Sequence, residues 1–134
     1  EGTVLITVAE RDRELVLPAA RAFSQMGFKI RATVGTHAFL TEQGIASESI
    51  LKLHEGRPNI EDAIKNGEIQ LVVNTPAGKS SEFDDSYIRK AAIRYRVPYV
   101  TTTTAAKAAA GGIAARRAAR GLVRSLQSYH SALD

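Results

Sequence analysis

Residues 69–74 read IQLVVN, a short apolar run that ends on an asparagine. Its apolar centre is unbroken, which is typical of a strand buried on both faces, as in a parallel sheet. Parallel strands need crossover connections, and these are usually helices. The run therefore predicts an α/β fold in which a strand over 69–74 lies between layers of helix.

Strand and helix signals alternate on both sides of this run. Further strands are predicted at Thr3 to Val8, Lys29 to Thr33, Ser49 to Leu53 and Val97 to Thr101. Alternation with short connections indicates right-handed crossovers between parallel strands. We expect a three-layer, Rossmann-like α/β fold with a five-stranded parallel sheet flanked by helices.

The spacing of apolar residues predicts three helices between the first four strands. They run from Arg11 to Met26, from His37 to Gln43 and from Ile60 to Asn66, and each ends before a glycine. Glycine is a common residue just after a helix. The expected apolar face of the first helix consists of Leu15, Ala19, Ala22, Phe23 and Met26.

The remaining helices are predicted from capping and breaking residues. Asp84 or Asp85 would cap a helix that ends at Tyr95; catalysis by this carboxylate pair is the less favoured interpretation. An alanine-rich helix is predicted to begin at Thr103 or Thr104 and to break at Gly111-Gly112. The last segment, 113–134, is predicted to form a C-terminal helix from Ile113 to about His130.

Length and composition indicate one domain of ordinary globular type. The chain has 134 residues, of which 44% are hydrophobic and 24% charged. No apolar run approaches the roughly 20 residues needed to span a bilayer. The chain opens in a predicted strand and contains no cysteine, so we expect no signal peptide, no disulfide and a cytoplasmic protein.

The net charge is a modest +4, which suits an anionic ligand but does not indicate a nucleic-acid binder. Much of the excess comes from four arginines near the C-terminus: Arg116, Arg117, Arg120 and Arg124. On a helix, three of them share one face. Two interpretations remain open for this face: a solvated basic surface, or a surface that packs against an acidic partner domain.

Polar and basic residues follow every predicted strand. Ligands of parallel α/β sheets bind beyond the carboxyl ends of the strands, where loops and helix N-termini meet. Those positions supply many threonine and serine hydroxyls, together with four cations: Arg13, Lys52, Arg57 and Lys79. Free backbone N–H groups, hydroxyls and one or two cations are the partners that a phosphate group needs.

The junction Thr33-Val34-Gly35-Thr36 has two interpretations. Thr36 could cap a helix while Gly35 permits the turn. Alternatively, Gly35 lets the main chain approach an anion, and Thr33 and Thr36 donate from either side. The junction alone favours capping, whereas the polar residues at all five strand ends together favour an anion site.

Familiar catalytic and metal motifs are absent from the sequence. Gly78-Lys79-Ser80 resembles the end of a Walker A loop, but its first glycine would have to be Val73. There is no G-x-G-x-x-G motif. The histidines show no metal-ligand spacing, and we expect neither metal nor cofactor. They are His37, His54 and His130.

Several blocks of the sequence resemble one family over Val4 to Gly111. The most specific block is HEGRPNIEDAIKNGE over 54–68, and others are 5–8, 27–28, 32–36, 52–53 and 73–75. The chain resembles the C-terminal allosteric domain of the large subunit of carbamoyl phosphate synthetase, one of the methylglyoxal-synthase-like domains. The resemblance implies a five-stranded parallel sheet and a regulatory domain excised from a larger chain.

The resemblance also implies an effector and its site. Bacterial domains of this family bind nucleotide monophosphates: UMP as an inhibitor and, in some members, IMP as an activator. The implied effector-binding residues are Arg13, Thr33, Gly35, Thr36, Lys52, Asn74, Thr75, Gly78 and Lys79. This chain departs from the family pattern at Arg13, Pro76 and Lys79-Ser80.

The family's second effector, ornithine, binds between this domain and a synthetase domain. From this side, the implied contacts are Tyr99 and Thr101. The implied partners are the synthetase domains of the same chain and, indirectly, a small glutaminase subunit. The parent chain would be an ATP-dependent ligase that serves arginine and pyrimidine biosynthesis.

A free-standing methylglyoxal synthase is the enzymatic alternative. Those enzymes use an aspartate after the third strand to move a proton on dihydroxyacetone phosphate. That position falls on Arg57 in this chain. Because a guanidinium stays protonated at neutral pH, it cannot act as the base. We therefore expect a binding domain with no catalytic residues.

Overall fold

The computed structural model describes residues 2–52, 55–75 and 82–133, with the side chains of 82–85 and 121–133 left out. Within these residues, five parallel strands form one sheet in the order β3-β2-β1-β4-β5. The strands are β1 (Thr3–Thr7), β2 (Lys29–Ala32), β3 (Glu48–Ser49), β4 (Leu71–Asn74) and β5 (Tyr99–Val100). The predicted parallel α/β architecture is confirmed.

Helices cover both faces of the sheet. They are α1 (Arg13–Gln25), α2 (Val34–Glu42), α3 (Ile60–Lys65), α4 (Glu82–Arg94) and α5 (Thr103–Leu133), with a short 3₁₀ helix at Glu10–Asp12 before α1. Alternate residues of β1 enter opposite layers: Val4 and Ile6 pack on the α1 and α5 side, Leu5 on the α3 and α4 side. The central strands are therefore apolar on both faces.

The strands are shorter than the sequence predicts. The strand predicted over 49–53 is only Glu48–Ser49, because the chain leaves the sheet after Ile50, and Leu51 instead forms an isolated bridge with Asn59. The strand predicted over 69–74 begins at Leu71. Side-chain character alone does not say where backbone pairing with a neighbouring strand ends.

The inward face of α1 differs from the prediction at Leu15, Val16 and Ala20. Leu15 is 63% exposed, and the buried residues are Val16, Ala19, Ala20 and Phe23. The α-helix begins at Arg13, after the 3₁₀ turn, and not at Arg11. At about 100° per residue, the four buried residues form one arc of the helix, and Leu15 lies at the edge of that arc.

The later helices also differ from the prediction. Helix α4 begins at Glu82, so Asp84 and Asp85 lie inside its first turn and neither occupies the N-cap position. Helix α5 is continuous from Thr103 to Leu133, so Gly111-Gly112 does not break it and no separate helix begins at 113. Contacts on both sides of the glycines explain this continuity, because Ala110 is buried in the core and Ile113 packs against it.

Candidate functional site

The carboxyl ends of β1, β2 and β4 meet the N-terminal turns of α1 and α2 around a cavity of about 270 Å³. This is the edge of the sheet where the sequence predicts a ligand. The cavity is lined by Thr7, Val8, Ala9, Glu10, Arg13, Thr33, Val34, Gly35, Thr36, Lys52, Glu55, Asn74, Thr75 and Ile88. We call it the rim cavity.

Seven of the predicted effector-binding residues line the rim cavity: Arg13, Thr33, Gly35, Thr36, Lys52, Asn74 and Thr75. Gly78 and Lys79 lie outside the described residues, as do Pro76 and Ser80. Tyr99 and Thr101 are not among the residues that line the cavity. The structure thus brings together residues from four predicted strand ends.

The N-terminus of α2 is one wall of the rim cavity. The helix begins at Val34, so Thr33 is its N-cap and the expectation that Thr36 caps it is wrong. Thr33 makes no capping bond with its side chain, and the first helical bond runs from the N–H of His37 to the Thr33 carbonyl. The first-turn N–H groups of a helix have no partner within it, and they carry its positive end.

The threonine hydroxyls are oriented by the end of β1 instead of by a cap. The hydroxyls of Thr7 and Thr33 lie 3.0 Å apart in a hydrogen bond. The N–H of Val8 donates to Thr36 Oγ1 at 3.3 Å, and the N–H of Ala9 donates to Thr75 Oγ1 at 2.8 Å. A hydroxyl that accepts a backbone bond retains its proton for donation, and that of Thr36 already makes a long bond of 3.5 Å to the Val8 carbonyl. The rim is therefore rich in donors.

Thr7 was not predicted as a site residue. It is buried, at 8% exposure, and its hydroxyl supports Thr33 from the neighbouring strand. The signal that could have found it is its polarity at the end of an apolar strand, Leu5-Ile6-Thr7.

Arg13 reaches the rim cavity from the first turn of α1. Its Nε is buried and has no hydrogen-bond partner among the described residues. Its guanidinium lies so close to Gly35 that a Cβ at residue 35 would collide with Nη2. A cation beside the positive end of a helix is unfavourable unless an anion joins them. An anion bound between the guanidinium and the helix N-terminus would relieve this repulsion.

Gly35 has a different role from the one expected. The sequence suggested that it permits a turn, but it lies inside the first turn of α2 and its φ is not in the left-handed region. The reason for glycine is space, because the Arg13 side chain occupies the position of a Cβ.

Charges of both signs line the rim cavity. Lys52 is half-buried, and its backbone N–H donates to Glu55 Oε1 at 2.7 Å. Glu10 and Glu55 were not predicted as site residues, although each follows a predicted strand. Because carboxylates repel phosphate and accept from hydroxyls, a ligand with both an anionic and a hydroxyl-bearing part matches this lining.

Asn74 forms part of the wall on the β4 side. It is 2% exposed, and its Nδ2 donates to the hydroxyl of Tyr99 at 2.9 Å. Tyr99, predicted as a ligand contact, is therefore tied to a residue of the rim cavity. Thr101 is exposed.

Arg57 does not line the rim cavity. Its Nη2 and Nε donate to the two carboxylate oxygens of Asp62, at 2.6 and 3.3 Å. Asp62 also accepts from the N–H of Asn59 at 2.9 Å, in a capping box that begins α3. The hydrogen bond from Arg57 lowers the pKa of Asp62 and raises that of Arg57. This pair fixes a helix start.

The other candidate features have structural explanations where the structure describes them. His37 Nδ1 lies 2.7 Å from Ser47 Oγ, whereas His54 and the side chain of His130 lie outside the described residues. No group of three metal-ligating side chains occurs among the described residues. None of the described helices is long and apolar enough to cross a membrane.

The basic face of α5 is partly a packing surface. Arg117 donates to the Met26 carbonyl at 2.6 Å and lies over the Phe28 ring, 4.8 Å from its centroid. Arg116 and Arg120 are exposed, and the side chain of Arg124 lies outside the described residues. For Arg117, the interpretation as a solvated residue is wrong.

Sequence comparisons identify related proteins. A family model described as "MGS-like domain" matches residues 15–101. The carbamoyl phosphate synthase large chain of Gemmatimonas aurantiaca is 53% identical over 133 residues, covering 99% of this chain and 12% of that protein. The Rhizobium meliloti large chain is 49% identical, covering 96% and 11%. This chain therefore matches a small part of much longer relatives.

The name of one relative indicates where the matching part lies in the longer proteins. The protein called carbamoyl phosphate synthase large chain, C-terminal section, of Aquifex aeolicus is 49% identical over 102 residues, which cover 76% of this chain and 19% of that protein. A crystal structure of methylglyoxal synthase from Elizabethkingia anophelis superposes with a TM-score of 0.67 at 9% identity, covering 82% of this chain and 77% of that chain. At so low an identity, the superposition shows the shared fold alone.

Proposed function

Since the chain belongs to the family of MGS-like domains, we propose that it is the allosteric regulatory domain of a carbamoyl phosphate synthase large chain and binds a nucleotide monophosphate. UMP is the first candidate and IMP the second. The observation that carries the proposal is the buried Arg13 Nε, which has no hydrogen-bond partner within the described part of the chain and lies beside the N-terminus of α2, at a cavity with several hydroxyl donors.

The proposed ligand uses the two sides of the rim cavity differently. Its phosphate would accept from the first-turn N–H groups of α2, the hydroxyls of Thr33 and Thr36, and the cations Arg13 and Lys52. Its ribose or base would lie towards Asn74 and Glu55. The amide of Asn74 and the carboxylate of Glu55 can accept hydrogen bonds from hydroxyl or N–H groups.

Regulation would follow from a shift between two packing states of the domain on its neighbour in the longer chain. An effector shifts such an equilibrium only by its differential affinity for the two states. Coupling free energies of this kind are typically about 1–3 kcal/mol. The neighbouring synthetase domains and, indirectly, the glutaminase subunit are the proposed recipients of the signal. Ornithine contact through Tyr99 and Thr101 is part of the same proposal.

We propose that this domain alone catalyses no reaction, and that ATP-dependent ligase activity belongs to the parent chain, in arginine and pyrimidine biosynthesis. The residue aligned with the catalytic aspartate, Arg57, is paired with Asp62. The rim cavity also holds two carboxylates, Glu10 and Glu55, and a carboxylate can accept a proton. Formation of methylglyoxal from dihydroxyacetone phosphate is therefore worth assaying directly.

Calorimetric titration of the chain with UMP, IMP, ornithine and inorganic phosphate tests the proposal. We expect saturable binding of at least one nucleotide monophosphate and no methylglyoxal formation. Turnover of dihydroxyacetone phosphate would favour the enzymatic alternative. Absence of heat with every ligand, confirmed by an unshifted unfolding midpoint, would favour a protein-interaction module.

A further inference from the structure

Tyr99 does not line the rim cavity, yet it is bonded to a residue that does. It is half-buried in β5, and its hydroxyl accepts from Asn74 Nδ2 at 2.9 Å. Asn74 itself is 2% exposed at the end of β4. A side chain outside the cavity thus holds a polar group that forms its wall.

The sheet register explains how the two side chains meet. Val72 of β4 is paired with Tyr99 of β5, and Asn74 lies two residues beyond Val72. Because side chains alternate along a strand, Val72 and Asn74 project from the same face of the sheet. Tyr99 projects from that face too, since it packs with Val72 against the α3 and α4 side. The tyrosine side chain therefore extends towards the carboxyl end of β4, where Asn74 lies.

Asn74 is separated from the phosphate-binding side of the rim cavity by a whole strand. Thr33 and Thr36 follow β2, whereas Asn74 ends β4, and β1 lies between them. Neighbouring strands are about 4.8 Å apart, so β2 and β4 are separated by about 9–10 Å. A single phosphate group is too small to contact both ends. Asn74 would therefore contact the organic part of a ligand.

From this geometry we infer that Tyr99 is a positioning residue for ligand recognition. Its hydroxyl fixes the carboxamide of Asn74, and so sets the affinity for the part of the ligand beyond the phosphate. The matching ligand is an organic phosphomonoester whose organic part reaches Asn74. This inference rests on the proposed function.

Titration of Tyr99→Phe with two ligands tests the inference. The substitution removes the hydroxyl and keeps the ring that packs on Val72. We expect UMP affinity to fall about three- to ten-fold, the effect of one neutral hydrogen bond, while inorganic phosphate affinity stays at the wild-type value. Tyr95→Phe is the matched control, because Tyr95 is a half-buried tyrosine that does not line the rim cavity.

A double-mutant cycle with Asn74→Ala separates positioning from general destabilisation. In the Asn74→Ala background, Tyr99→Phe should cause no further loss of UMP affinity. Wild-type UMP affinity in Tyr99→Phe, or equal losses for UMP and phosphate, would overturn the inference. If the wild-type chain bound no nucleotide monophosphate, the proposed function would be overturned instead. Should Asn74→Ala not fold, the two-ligand comparison alone decides.

Discussion

Gly35 and Arg13 belong to different helices, yet the guanidinium of one occupies the space that a side chain at the other would need. Two more residues of the rim cavity show the same dependence on distant neighbours. The hydroxyl of Thr33 is oriented by its hydrogen bond with Thr7, and that of Thr75 by the N–H of Ala9. At the scale of single residues, the site is therefore a set of donors that other elements orient.

Replacement of Lys52 by alanine should weaken nucleotide binding by about 1–3 kcal/mol, the scale of a hydrogen bond to a charged group. The cause is loss of the ammonium group from the cavity wall. Calorimetric titration with UMP measures the change. Lys65→Ala is the matched control, because Lys65 is exposed on α3 and does not line the rim cavity. Unchanged affinity in Lys52→Ala would remove this lysine from the proposed site.

Gly35→Ala should weaken phosphate and UMP binding without unfolding the chain. The new Cβ meets the end of a flexible arginine side chain, so Arg13 moves away while the helix is retained. Titration calorimetry and the unfolding midpoint measure the two effects. Gly111→Ala is the control, since it adds a methyl to another helix with open space around it. In an Arg13→Ala background, Gly35→Ala should have little further effect; a full additional loss would contradict the mechanism.

At the scale of elements, helix starts and helix continuity are decided by contacts between elements. Helix α2 begins three residues before the predicted His37, and its N-cap side chain bonds to β1 instead of the helix. Helix α3 begins at a capping box, where Asn59 accepts from the N–H of Asp62 and Asp62 accepts in return. The guanidinium of Arg57 also donates to the Asp62 carboxylate, which adds an ion pair to the capping box.

The Asp62 carboxylate should stabilise the fold in a pH-dependent way. Its pKa is lowered in the folded chain, so its contribution is present above the unfolded value, near pH 4, and is lost as the pH falls through the folded pKa. Asp62→Asn keeps an acceptor for the cap but removes the charge. Urea unfolding should show a lower stability for the variant at pH 7 and a smaller difference near pH 3. A difference independent of pH would contradict the assignment.

The continuity of α5 predicts the effect of replacing its glycines. Substitution of both Gly111 and Gly112 by alanine should stabilise the chain by about 1–2 kcal/mol, because alanine is the better helix former. Both positions have open space for a Cβ. Denaturant unfolding measures the gain. Gly67→Ala is the opposing control and should destabilise, since Gly67 has a φ of +74°. Destabilisation by the double substitution would indicate a break in the helix.

At the scale of the whole molecule, the rim cavity joins elements that are distant in the sequence. Its lining includes residues from β1, α1, α2, β4 and α4, so a bound ligand would contact much of the fold at once. Arg117 makes another long-range connection, from α5 to the turn between α1 and β2. Both features connect elements that are far apart in the sequence.

Ligand binding should therefore raise the stability of the entire chain. A ligand that binds only the folded state at 100 times its Kd adds about 2.7 kcal/mol to the free energy of unfolding. UMP should raise the unfolding midpoint with a logarithmic dependence on concentration, as followed by calorimetry. Arg13→Ala should reduce this shift strongly. An equal shift in wild type and variant would place the nucleotide elsewhere.

The sequence by itself determined the succession of strands and helices along the chain. It also determined the strand ends at which polar residues gather. These follow from local periodicity and from turn residues, which act over a few neighbouring positions. Seven of the nine predicted effector residues come together at the rim cavity, and the other two lie outside the described residues. The effector itself remains a proposal.

Only the tertiary structure decided which of these groups are committed to other elements. It placed Arg13 against Gly35, Tyr99 beside Asn74 and Arg117 on Phe28. It also kept α5 intact across two glycines that local propensity marks as a break. The physical reason is that burial, space and hydrogen-bond partners depend on residues far apart in the chain, which meet only when the sheet and its helices pack.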